Sequence, residues 1–183
     1  MGKTALLVID VQKGLDDPYH GKRNNPDAES NMVLLLSKWR KLRLPIVHVK
    51  HSSVEPNSKL RPELRGNEVK DEVKPLAGEK QFTKSVNSVF IGTGLEKHLR
   101  EHDISSLVIV GLTTDHCVSA ATRMASDLGF DVTVVSDATA THERLGYDGV
   151  LYSADDIHKI NLVSLNGEFC AVRSTREVLK EIV

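Results

Sequence analysis

Apolar positions gather into four continuous runs, TALLVID (4–10), LPIVHVK (44–50), SLVIVGL (106–112) and DVTVVSD (131–137). None of them alternates with polar residues, and all are rich in Val, Ile or Leu. Each therefore predicts a strand buried on both faces, as in a parallel sheet. Between the runs the period lengthens. In NNPDAESNMVLLLSKWRKL, residues Ala28, Met32, Leu35, Leu36, Trp39 and Leu42 share one stripe at helical spacing, with Asn25 and Pro26 as N-cap and first-turn proline. In TGLEKHLREHDI, Thr93 and Glu96 read as a capping box ahead of Leu95 and Leu99. A third helix carries Val118, Ala121, Ala125 and Leu128 on one face and ends at Gly129. The tail FCAVRSTREVLKEI adds a late strand and a closing helix.

Alternating strands and helices predict a three-layer α-β-α protein, a Rossmann-like parallel sheet with helices on both faces. Residues 1–183 show no internal repeat, linker or low-complexity tract and read as one domain. The segment from His51 to Lys80, with Pro56, Pro62 and Pro75, is polar and irregular, and a loop of that length is expected to be functional.

Charge changes the picture only by exclusion. A formal charge of −1 with both signs dispersed gives no nucleic-acid footprint and no attraction to an anionic membrane. No apolar run reaches the roughly 20 residues of a membrane span, and MGKTALLVIDVQ lacks a signal-peptide layout. Two cysteines, Cys117 and Cys170, show no CxxC spacing; free thiols and a cytoplasmic location are expected.

Ligands of such sheets bind beyond the carboxyl ends of the strands. Asp10, Lys84 and Cys117 all fall at or near strand ends. With Thr114 as N-cap, Cys117 lies in the first turn of a helix, where unpaired N–H groups favour a thiolate. Lys84 could add a positive charge, and Asp10 could take the thiol proton and return it to a leaving group. Against this stands the ordinary role of a lone cysteine as a buried packing residue. Gln12 either hydrogen-bonds near such a site or terminates the strand, and Phe82 either packs or walls the pocket. His48 reads as a satisfied strand histidine, Cys170 as a buried thiol, and His98 with His102 as a solvated helix face.

VIDVQKG, KQFTKSVNSVFIGTGLEKHL and VIVGLTTDHCVSAATRMASDLGFDVTVVSDATAT resemble, in order and over nearly the whole chain, the isochorismatase-like cysteine hydrolases. That family includes nicotinamidases, N-carbamoylsarcosine amidases and ureide hydrolases. The resemblance implies catalytic roles for Asp10, Lys84 and Cys117, and a cis peptide between Leu112 and Thr113. It also implies an oxyanion hole from the Thr113 and Cys117 amides. Gln12, Phe82 and Leu112 are candidate substrate contacts. The reaction implied is C–N hydrolysis of a small amide, carbamoyl or ureide compound through a thioester. The family's ether-cleaving isochorismatases lack the cysteine; a silent binding module or a thiol sensor are the other readings. Metal-dependent relatives carry Asp-x-His at the end of the second strand, where this chain has HVKHSSVEP, so neither metal nor cofactor is expected. A homo-oligomer, dimer or tetramer, is expected, with a small molecule as substrate.

Overall fold

The computed structural model describes residues 2–182. Six strands form one parallel sheet: β1 (Lys3–Ile9), β2 (Ile46–His51), β3 (Lys80–Lys84), β4 (Ile104–Leu112), β5 (Asp131–Ala140) and β8 (Ala171–Arg173). Their order is β3-β2-β1-β4-β5-β8, and a small antiparallel pair, β6 (Arg144–Leu145) with β7 (Leu151–Tyr152), stands apart. The chain runs outward from β1 to β3, then crosses back to place β4 on the other side of β1. That reversal opens a crevice between the carboxyl ends of β1 and β4, the switch point where such sheets bind ligands.

The unbroken apolar runs are explained by the two helical layers. Along β1, Leu6 and Val8 pack towards α1 (Ala28–Leu42) and α5 (Thr175–Glu181). Ala5, Leu7 and Ile9 pack towards α2 (Leu95–Glu101), α3 (Ser119–Asp127) and α4 (Ala154–Leu165). The expected stripe of α1 is buried except for half-buried Leu42. Each fully buried Leu or Met contributes about 1.5–3 kcal/mol, so this face rather than helix propensity anchors α1.

Three expected helix starts differ. Asn25 does not cap α1; its φ is +43°, and its amide donates to the Ser136 and Thr139 carbonyls at 2.9 and 2.7 Å, tying the helix entry to β5. Thr93 and Glu96 form no capping box: α2 begins at Leu95, whose N–H donates to Thr93 Oγ1 at 3.2 Å, while Glu96 pairs with Arg100. The residue flanking the turn before α3 is Thr113, not Thr114. Gly129 does follow α3 in a left-handed conformation (φ +82°). His48 is buried with Nε2 2.8 Å from Glu79, a satisfied strand histidine as expected. Among the described residues no helix is long and apolar enough to cross a membrane.

Candidate active site

Each reactive side chain is set by a local backbone feature at the switch point. Asp10 is the first residue beyond β1 and turns out of the sheet with φ +51°, a conformation that costs a non-glycine residue about 1–2 kcal/mol. Its N–H still donates to the Val49 carbonyl at 3.0 Å, so the turn stays anchored to β2. Gly111 allows β4 to run against the end of β1: its φ is +124°, and a Cβ there would lie 2.0 Å from the Ile9 carbonyl oxygen. Beyond it the Leu112–Thr113 peptide is cis. A wide π-type turn over Thr114–Val118 follows, in which the Thr113 carbonyl accepts from the N–H groups of His116 and Val118, both at 3.2 Å. Thr114 Oγ1 meets His158 Nδ1 at 2.8 Å, which fastens the turn to α4.

Asp10, Lys84 and Cys117 converge. The Lys84 side chain is wholly buried, with Nζ donating to Asp10 Oδ2 at 2.5 Å and to Cys117 Sγ at 3.2 Å. It also meets His51 Nδ1 at 3.0 Å. His51 closes β2 directly opposite Lys84 in the β2–β3 register. Burial and the Lys84 charge hold its imidazole down at about 4, so it faces the ammonium as a neutral acceptor.

The proton balance differs from a thiolate at a helix start. Burial, with the Asp10 charge beside it, pushes the Cys117 thiol up to about 12, and the Lys84 ammonium does not outweigh them. Burial also raises the Asp10 carboxyl above its ordinary value, against Lys84. One anion therefore faces one ammonium, and a single proton is left for carboxylate and sulfur to exchange. Asp10 Oδ1 is buried with no hydrogen-bond partner. It is a free acceptor on a carboxylate that has an oxygen within 4.8 Å of the Cys117 sulfur.

These groups open onto a cavity of about 210 Å3, smaller than the 300–1,000 Å3 of ordinary ligand pockets and suited to a small substrate. Leu15, Leu60 and Leu112 supply its apolar lining; His20, His51, Asn87, His116 and Arg144 supply polar groups around Asp10, Thr113 and Cys117. Arg144 is held by Asp115, with Nε donating at 2.9 Å to Oδ2. Burial opposes the Asp115 charge, but bonds from Arg144 and Thr141 prevail and keep its carboxyl at about 2. A larger, more open cleft of about 520 Å3 between β5 and α4 contains no nucleophilic thiol.

Of the candidate substrate contacts, Leu112 lines the cavity and two do not. Gln12 is fully buried and spent on backbone: Nε2 donates to the His51 and Asn67 carbonyls, both at 2.9 Å, and Oε1 accepts from His51 N–H at 2.8 Å. It braces the His51 backbone from outside the cavity lining. Phe82 packs its ring edge on His98 of α2, with centroids 5.8 Å apart, away from the cavity. Sequence reasoning missed His20, Asn87, His116 and Arg144, all on segments that follow the carboxyl ends of strands of the main sheet. The position of those segments was the available signal. Asp10, His51 and Cys117 also present oxygen, nitrogen and sulfur atoms within 4.8 Å of one another, a set able to hold a metal ion.

Comparison with known proteins gives a consistent result. The profile of the isochorismatase domain matches residues 4–177. The isochorismatase-family protein YrdC of Bacillus subtilis is 41% identical over 99% of this chain and 97% of its own. The crystal structure of an isochorismatase-family hydrolase from Chromobacterium violaceum superposes with a TM-score of 0.94 at 43% identity, covering 97% of this chain and 92% of the other. Ureidoacrylate amidohydrolase RutB of Caulobacter segnis is 36% identical over 74% of this chain and 52% of its own.

Proposed function

The chain belongs to the isochorismatase family of hydrolases, and from that premise we propose that it cleaves the C–N bond of a small amide, carbamoyl or ureide compound through a thioester on Cys117. The observation that carries this reading is the buried Asp10 carboxylate, one oxygen of it without a hydrogen-bond partner and the other held by the same Lys84 ammonium that contacts the Cys117 thiol. In this reading Asp10 takes the Cys117 proton and the sulfur attacks the carbonyl carbon. Charge on the carbonyl oxygen is met by the Thr113 and Cys117 backbone N–H groups, a preorganised arrangement of the kind that supplies the largest catalytic share in many enzymes. The C–N bond breaks as the leaving nitrogen takes the proton from Asp10. Water then gives a proton to Asp10, attacks the thioester and releases the acid, and the proton returns to sulfur. Lys84 remains an ammonium throughout and offsets whichever of the two groups is negative.

A thiol in contact with the aspartate–lysine pair favours acyl transfer over ether cleavage, in which sulfur has no role. The volume of about 210 Å3 favours a compact substrate. The name of the Caulobacter relative, an amidohydrolase of ureidoacrylate, points the same way. The test is ammonia release from a panel of small primary amides, N-carbamoyl amino acids and ureides, followed by mass spectrometry of the protein during turnover of a slow substrate. A covalent acyl adduct on Cys117 is expected, and Cys117→Ala should lose at least about 10³-fold in kcat. Full turnover by Cys117→Ala would overturn the proposal.

A further inference from the structure

Lys84 ends inside a donor set suited to a metal ion. Its Nζ lies 2.5 Å from Asp10 Oδ2, 3.0 Å from His51 Nδ1 and 3.2 Å from Cys117 Sγ. An ammonium carries three protons, and here it meets three acceptors, one for each. Carboxylate, imidazole and thiolate are also ligands that zinc accepts in tetrahedral sites. Among the described residues no other group of three or more His, Cys, Asp or Glu side chains converges in this way.

We infer that Asp10, His51 and Cys117 form a cation cage whose resident ion is the Lys84 ammonium, and that His51 is the positioning residue that fixes it. With only Asp10 and Cys117 as acceptors, one N–H of a fully buried ammonium would lack a partner and the group could swing about its stem. His51 takes that third proton and aims the other two at carboxylate and sulfur. The imidazole is well placed to do so because its own backbone is clamped. Gln12 accepts from its N–H at 2.8 Å and donates to its carbonyl at 2.9 Å, and Asn67 Nδ2 donates to the same carbonyl at 2.8 Å. The ligand set is therefore present, and a tethered cation fills its centre. A resident metal would bind the thiolate directly, whereas the ammonium sits 3.2 Å from sulfur and leaves it free to form a new bond.

The kinetic half of this inference rests on the thioester reading, and the cage itself does not. Calorimetric titration with zinc chloride, in buffer free of chelators, compares the wild type, Lys84→Ala and the double variant Lys84→Ala, His51→Leu. Emptying the cage should give one zinc per chain, bound at least about 100-fold tighter than by the wild type, with the Cys117 thiol proton released to buffer. Adding His51→Leu should weaken that binding by about 10–100-fold. In an otherwise native chain, His51→Leu should lower kcat about 10–100-fold while KM moves less than about threefold. His51→Asn, whose Oδ1 falls near the place of Nδ1, should recover most of that loss. Zinc binding by Lys84→Ala no tighter than by the wild type, or indifferent to His51→Leu, would overturn the cage whatever the reaction. An unchanged kcat in His51→Leu would overturn the positioning role. Turnover surviving in Cys117→Ala would instead remove the thioester reading and leave the zinc result standing.

Discussion

Lys84 and Lys70 are both buried against carboxylates, yet Asp10 beside the first and Glu29 beside the second behave in opposite ways. Lys70 Nζ reaches Asp16 Oδ1 at 2.5 Å and Glu29 Oε1 at 2.6 Å, and Arg23 holds both Glu29 oxygens from the other side. Burial works against the Glu29 charge, but the hydrogen bonds from Arg23 and Lys70 outweigh it and bring the carboxyl down to about 2. At Asp10 one oxygen has Lys84 and the other has nothing, and burial prevails in the raising direction. The ingredients are alike, and the number of donors decides the sign. A carboxylate with every oxygen occupied cannot take up a proton at neutral pH. A carboxylate left one donor short, with a thiol beside it, can. The first arrangement secures the loops that follow β1 and β2, and the second suits proton transfer.

The comparison breaks most visibly if the two lysines are removed in turn. Lys70→Met leaves partly buried Glu29 with Arg23 alone. Removing one partner of a buried pair costs about 3–5 kcal/mol, and the remaining guanidinium places this case near 3. For a chain of this size that is a fall of about 6–12 °C in Tm, read by calorimetry. Activity per folded molecule should stay within about twofold, since no atom of that cluster lines the cavity. Lys84→Met should show the reverse emphasis, with turnover lost far beyond any loss of stability. Matching losses of activity in both variants would mean that the clusters are not functionally distinct.

Acid sharpens the contrast next. The Glu29 carboxyl is depressed in the folded chain from 4.5 to about 2, so its stabilisation is complete above pH 4.5 and is lost as pH falls through about 2. The full shift corresponds to about 3 kcal/mol, of which about 2 should be gone by about pH 3. Asp10 has the opposite sign: its raised carboxyl binds a proton more readily when folded, so its contribution does not decay in that window. Urea midpoints at about pH 6 and pH 3 should therefore fall less in Glu29→Gln than in the wild type. Parallel profiles would show that Glu29 carries no such charge-dependent stability.

The division between the two clusters was only partly legible in the sequence. The sheet and its layers were, because unbroken apolar runs leave no exposed face, and Asp10, Lys84 and Cys117 were, because strand ends converge at a switch point and their motifs resemble a known family. Roles that depend on a distant partner were not. Asn25 looks like an N-cap, but carbonyls more than 100 residues away, on Ser136 and Thr139, take its side chain. Gln12 looks like a strand-end polar group near substrate, and only the tertiary fold brings its amide to the His51 backbone. Phe82 and Lys84 point to the same side of β3, yet that side meets α2 at Phe82 and the Asp10–Cys117 pair only at Lys84. His51 is silent in sequence because its partner, Lys84, is supplied by the register between β2 and β3.

The smallest expected effect concerns the two thiols and whether Asp10 shares its proton. Burial pushes Cys117 up to about 12 and Cys170 up to about 11, so ionisation alone would make Cys117 the slower of the two towards iodoacetamide at neutral pH. Proton transfer to the free Asp10 oxygen reverses that order, because the sulfur can become nucleophilic without releasing its proton to water. Cys170 has no carboxylate acting on it in this way; its thiol feels burial first, then a Val134 backbone bond and the charge of Arg123. Cys117 should therefore be alkylated faster than Cys170 in the wild type. Asp10→Asn, which keeps an acceptor for Lys84 but cannot bind the proton, should slow Cys117 by about tenfold, or about 1.4 kcal/mol in the barrier, and leave Cys170 unchanged. Peptide mapping of carbamidomethylated cysteines over a time course reads both rates in one sample. If the Cys117 rate does not respond to Asp10→Asn, the proton is not shared, and the contrast between the two lysine clusters would reduce to a difference in burial.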